Sequence, residues 1–252
     1  MKNRITLRSW MGLALLLASA GAAHADTWQV GDLTTYTGGS WGGCAANCGS
    51  SFPDPGAVLL DASFNTVYGA IGGVIAGSPS GFTMVFTDAG SVRAYLPSVG
   101  PFAPLNGSYV NPGSTASGAF GGQVLALELN VDFSDAGLLP GSSGLRFGDL
   151  ILENFTNGPF VNQESFNGLT VRQFLADENI LLSGGSTIFS ISDLNTAAGD
   201  ITASFSNGTP SAFAQEHLVA PTSASNVPEP SNWLLMIPAI FGLGWSRRRQ
   251  RR

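Results

Sequence analysis

Thr170-Val171-Arg172-Gln173-Phe174-Leu175-Ala176-Asp177-Glu178-Asn179-Ile180-Leu181-Leu182-Ser183-Gly184-Gly185 carries both ends and the buried face of a helix in one stretch. Thr170 and Gln173 stand at capping-box spacing, so the hydroxyl accepts from the third amide while the glutamine reaches back. Leu169 and Phe174 occupy the positions of a hydrophobic staple. Val171, Phe174, Leu175 and Leu182 fall on one helical stripe, and Gly184-Gly185 stops it. A second helix follows, with Ser192 as its N-cap. Leu194, Ala197, Ala198, Ile201 and Phe205 recur at helical spacing, and Asn207-Gly208 ends the run. Thr209-Pro210 opens a last short turn toward Leu218.

Upstream the signals are thinner. Asp54-Pro55 supplies an N-cap and a proline at the first helical position, and Leu60, Phe64, Val67 and Tyr68 follow at helical spacing. A helix is expected over about 56–68. Gly69 to Gly81 is apolar and glycine-rich, with low helix propensity. Phe82 to Phe86 reads as a strand. Asp88 caps a short helix that must end before Pro97. The stretch 120–133 reads two ways: Leu125, Leu127, Leu129, Val131 and Phe133 alternate as in a strand, yet Gln123, Ala126, Leu127, Glu128 and Leu129 are good helix formers. Residues 26–53 read as an irregular lead-in segment. Within it Cys44 and Cys48, the only cysteines, are expected to form a local disulfide. A redox motif or a zinc site fits them less well, since a single histidine and no further cysteine remain after residue 25.

The two ends are addresses. Lys2, Arg4 and Arg8 precede an apolar run from Trp10 to Ala20, and Ala23-His24-Ala25 is a cleavage site that would leave Asp26 as the first mature residue. At the other end, residues 221–226 form a linker. Val227-Pro228-Glu229-Pro230 is followed by a mostly apolar run from Trp233 to Trp245 and then by Arg247, Arg248, Arg249, Arg251 and Arg252. Thirteen helical residues rise about 20 Å against a hydrocarbon core of roughly 30 Å. Such a span suits a transient anchor better than a permanent one. Trp233 and Trp245 sit where interfacial aromatics do, and the arginines stay cytoplasmic by the positive-inside rule. A plain, uncut C-terminal anchor is the other reading.

This tripartite tail, about a tenth of the chain, resembles the PEP-CTERM sorting signal of Gram-negative bacteria that make exopolysaccharide. The resemblance implies that signal peptidase and then an exosortase act during export. The exosortase would cut in or near the motif and pass the protein to the cell surface or the extracellular matrix, with exopolysaccharide as a candidate partner. Asn111 to Val219 is similar to an uncharacterised region of bacterial surface proteins, through Pro112-Gly113-Ser114-Thr115, Gly148-Asp149-Leu150 and Phe213-Ala214-Gln215-Glu216-His217-Leu218 among other pieces. That likeness implies a shared fold and a surface role, and on it 120–133 is read as helix. The expected fold is a helix-rich α+β, mainly α, ectodomain over 54–220, between an N-terminal signal helix and a short C-terminal transmembrane helix.

Charge narrows the function classes. Between the signal peptide and the arginine cluster the chain has no lysine, three arginines (Arg93, Arg146, Arg172) and all seventeen acids, a net of −14. Such a surface repels nucleic acid and other polyanions over a Debye length of about 8–10 Å. It also keeps an extracellular protein soluble.

Catalytic motifs are weak. Gly38-Gly39-Ser40-Trp41-Gly42 matches G-x-S-x-G, but glycines stand where a nucleophile elbow needs a strand and a helix. His217 is the single histidine beyond the signal peptide, at the end of a short helical turn where a capping role suffices. Asp132 and Asp135 flank Ser134 as calcium candidates, too few alone for a loop of several oxygens. Asp149 and Glu153 lie four apart, so acids meeting in space for hydrolysis stay open. No cofactor is expected, with calcium the one candidate. The expected function is an exported, non-catalytic structural or adhesive protein; the alternatives are a secreted hydrolase acting on polysaccharide or peptide, and a calcium-dependent matrix module.

Overall fold

The stretch that reads two ways is one helix, α4, Gly118–Asp135. Phe120, Val124, Leu125, Ala126, Leu127, Leu129, Val131 and Phe133 are all buried, so the helix is covered around its circumference. A helix wrapped in protein on every side needs no polar face, and the 3.6-residue period that marks a surface helix is lost. The apparent strand alternation is a by-product. The chain is described by a computed structural model over residues 27–48, 52–156 and 163–221. The expected signal peptide and sorting signal, with the two expected terminal helices, lie outside the described residues. Among the described residues no helix is long and apolar enough to cross a membrane. The described domain is helix-rich α+β.

Around α4 pack α1 (Gly38–Trp41), α5 (Val171–Leu182), α6 (Ile191–Ala203) and the strand β1 (Val74–Gly77). Of the segment 26–53, expected as an irregular lead-in, the part from Trp28 to Trp41 is anchored in this core. Trp28, Leu33, Tyr36 and Trp41 are buried, and Thr35 bridges to Ser206 beyond α6. Buried Asn130 of α4 fixes that segment. Its Oδ1 accepts from the Tyr36 amide at 2.8 Å, and its Nδ2 donates to the carbonyls of Tyr36 and Ala126 at 2.8 and 2.9 Å. The Cys44–Cys48 disulfide forms as expected, with Cα atoms 5.6 Å apart.

α2 (Pro55–Tyr68) begins at Pro55 as anticipated and buries Leu60, Phe64 and Tyr68. Asp54 does not cap it through its side chain; its Oδ2 accepts from the Cys44 amide instead, tying the disulfide loop to the helix start. The glycine-rich stretch after α2 contains β1, which pairs antiparallel with β2 (Thr83–Phe86), Val74 opposite Phe86 and Gly77 opposite Thr83. A glycine is required at 73, where φ is 138° and a Cβ would stand 2.3 Å from the Phe86 carbonyl oxygen. α3 (Ala89–Tyr95) is capped by Asp88, whose Oδ1 accepts from Ser91 N–H. β3 (Tyr109–Val110) joins β2 in parallel, closing a three-stranded sheet of order β1-β2-β3.

α5 has the full capping box, with Thr170 Oγ1 accepting from Gln173 N–H and Gln173 Oε1 from Thr170 N–H. It ends in a Schellman arrangement: Gly185 N–H donates to Ile180 O and Gly184 N–H to Leu181 O, with Gly184 at φ 86°. α6 is capped by Ser190, two residues before the expected Ser192, because the Ser190 hydroxyl is the one that accepts from Asp193 N–H. A final short helix, α7 (Ala212–His217), leads into β5 (Leu218–Val219), which pairs antiparallel with β4 (Ile151–Leu152).

Candidate functional site

Two helices bring acids into one seam. Glu128 and Asp132 lie one turn apart on α4; Glu178 and Asn179 are adjacent on α5. Glu178 belongs to the same face as Val171, Phe174 and Leu181, so helix geometry alone drives a carboxyl group into the core. It has no solvent-exposed surface, and neither carboxylate oxygen has a hydrogen-bond partner. A buried polar group in that state is destabilising by about 1–3 kcal/mol and calls for a physical reason.

The neighbours of Glu178 are also acidic. Glu128 keeps part of its surface at solvent, but protein surrounds its carboxylate, and Asn179 Nδ2 donates to its Oε2 at 3.0 Å. Burial, then the Asp132 charge, push the Glu128 pKa up to about 7, against the pull of Asn179 and Arg172. Burial raises Glu178 well above the ordinary carboxylate range, and Glu128 adds to it. Asp132 is raised by burial in spite of the Tyr68 hydroxyl, which donates to its Oδ2 at 2.9 Å. Tyr68 of α2 in turn has its phenol held protonated by burial and by Asp132. Burial thus biases the acids of the seam toward their protonated forms.

The arginine that faces the seam is engaged elsewhere. Arg172 makes two bonds to Asp135, at 2.8 and 2.9 Å, and a third to Asp149 at 3.1 Å. Its hydrogen bonds to Asp135 raise its pKa further. The calcium candidates Asp132 and Asp135 are thus occupied separately, one by Tyr68 and one by Arg172. Among the described residues no group of three or more His, Cys, Asp or Glu is placed to hold a metal ion.

The other candidates fall into structural roles. Ser40 Oγ accepts from the Gly56 amide at 3.3 Å, joining α1 to α2. His217 packs in a triangle of rings with Phe155 and Phe213, centroids 4.5 and 4.9 Å away, and its Nδ1 lies 3.0 Å from the Glu153 carbonyl oxygen. Glu153 thereby meets His217 through its backbone, while Asp149 meets Arg172. The residues expected to sort the chain (227–230), to orient it in a membrane (Trp233, Trp245, Arg247, Arg248, Arg249, Arg251 and Arg252) and to flank signal cleavage (Ala23 and Ala25) lie outside the described residues.

Sequence reasoning passed over Glu128, Glu178, Tyr68 and Asn179. The signal was present for Glu178, which stands seven residues after Val171 and four after Phe174, inside the apolar stripe already used to find the helix. Two of the surface hollows among the described residues bear on these candidates. One, of about 150 Å³, runs past Gly38, Pro97 and Gln123. The other, of about 310 Å³, is lined by Asp32, Asp135 and Arg146 among others. Neither is lined by Glu128 or Glu178. No family model, no curated protein and no solved structure matches this chain.

Proposed function

We propose that this chain is an exported protein that its C-terminal address carries to the cell surface or the extracellular matrix. There its domain serves a structural or adhesive role without turning over a substrate. The observation that carries this reading is the order of proline-flanked motif, short apolar run and arginine cluster over residues 227–252, opposite an N-terminal signal peptide. Signal peptidase and an exosortase are the partners it requires, and the inner membrane is a transient station. The acidic domain carries no lysine, which favours solubility outside the cell over contact with polyanions.

The disposition of the acids supports the non-catalytic half. Glu178 is sealed from solvent, where a polymer cannot reach it. A hydrolase reading would turn instead to the hollow between Asp32 and Asp135. Both Asp135 oxygens there accept from Arg172, which favours the ionised form of that carboxylate and makes it a poorer proton donor. The test is incubation of the purified full chain with polysaccharide and peptide panels. Product release that a single substitution, Asp32→Asn or Asp135→Asn, abolishes would overturn the reading.

A further inference from the structure

The seam between α4 and α5 is mechanically tied to the sheet. Asn179 is the tie: its Nδ2 donates to Glu128, and its Oδ1 accepts from the Gly77 amide at 2.6 Å, the last residue of β1. One turn on, the Ser183 hydroxyl accepts from Ser78 N–H, and the Ser183 carbonyl accepts from Phe82 N–H at 3.1 Å. The end of α5 therefore holds both sides of the turn that joins β1 to β2. β1 is an edge strand of its sheet, and Asn179 caps an amide there that would otherwise be open to another chain.

We propose that the α4–α5 seam is a proton-held latch. Protons on Glu128 and Glu178 keep α5 seated and its side chains on the end of β1; their loss unseats α5 and frees the β1–β2 hairpin. The geometry supplies the reason. Ionised Glu178 would be a buried charge with no hydrogen-bond donor, beside Glu128 and, one turn along α4, Asp132. Arg172 cannot move to neutralise it without releasing Asp135 and Asp149. The remaining elements bring little relief. α1 and β1 contain no titratable side chain, α2 brings the neutral Tyr68 and Asp61, the latter paired with Arg93, and α6 brings Asp193 and Asp200, the latter near His217. The turn Phe147–Asp149, packed on both helices, brings Asp149, held by Arg172, and α5 itself adds a further acid, Asp177. Like charges on neighbouring acids of α4 and α5, one of them wholly buried, push apart the helices that carry them. The freed hairpin carries Ile75 and Val85, which continue the row of exposed Val110 on β3, and an uncapped edge.

The test is amide hydrogen exchange on the full chain in mild detergent at pH 5 and pH 8.5, corrected for the intrinsic pH dependence of exchange. The expected result is that protection over residues 74–82 falls roughly a hundredfold between the two, because each pH unit crossed between the unfolded and folded values is tenfold. Protection in α6 falls by much less. Glu128→Gln, which keeps an acceptor for Asn179, removes most of the drop. Three results overturn the latch: protection over 74–82 that is flat with pH, an equal loss in the hairpin and in α6, or a full drop retained in Glu128→Gln. Should that variant fail to fold, Glu128→Met, which also removes the titrating group, is read by the same criteria.

Discussion

Replacing Glu178 by methionine should stabilise the domain. The side chain lies wholly inside, and both oxygens lack partners, so the wild-type residue carries a desolvation penalty of about 1–3 kcal/mol even when protonated. Methionine is of similar length, and near-isosteric exchange in a core costs under about 1.5 kcal/mol. The balance at pH 7 is a gain of about 1–2 kcal/mol. Above pH 7 the gain grows, because the wild type must either hold a proton against a falling proton activity or bury a charge beside Glu128. Urea unfolding followed by tryptophan fluorescence reads this directly, since Trp41 is buried in the same core. With a slope of about 1–3 kcal/mol per molar urea, the midpoint should rise by roughly 0.5–1 M at pH 7 and by more at pH 8.5. A loss of stability of about 1 kcal/mol or more at both pH values would refute the reasoning. It would mean that the carboxyl group has a stabilising partner, a bound cation for instance.

Three further outcomes follow from the same geometry. The folded Glu128 holds its proton to about pH 7 against 4.5 for the free side chain. Its contribution is therefore fully present below pH 4.5 and is lost as pH rises through 7, on the order of 2–3 kcal/mol in all; a denaturation series from pH 5 to 8 that is flat or rising contradicts this. Asn130→Ala strips the Tyr36 amide and carbonyl of their buried partner, and a loss of about 2–4 kcal/mol is expected in chemical denaturation. Thr170→Ala removes half of the α5 capping box and should lower stability by about 1 kcal/mol, whereas Thr170→Ser should be nearly neutral; equal losses would show that packing and not the hydroxyl matters.

Elements with two independent local signals were legible from the chain alone. α5 had a capping box, a stripe and a glycine stop, and all three are present in the fold. α3 had its cap and breaker in the right places, and α2 its proline at the first turn, though Asp54 turns its carboxylate to the Cys44 amide. α4 was not legible by pattern, because a helix buried on all sides carries no amphipathic period. β1 was hidden by the glycines its pairing requires, Gly73 and Gly77 at φ 138° and 106°. The start of α6 was displaced because Ser190 and Ser192 both suit an N-cap, and only the fold selects between them. The acid seam depends on contacts fifty residues apart, Glu128 with Asn179, which no local spacing encodes. Its one local trace is a glutamate within an apolar stripe. The lead-in segment looked irregular because its order comes from Asn130, more than ninety residues away.

The central claim is that both ends of the chain are removable addresses. Intact-mass measurement of the protein recovered from the cell surface or the medium tests it most directly. The account predicts a chain that begins at Asp26 and ends in or near residues 228–230. A mass that still includes Arg252, in protein held in a membrane fraction, would contradict it.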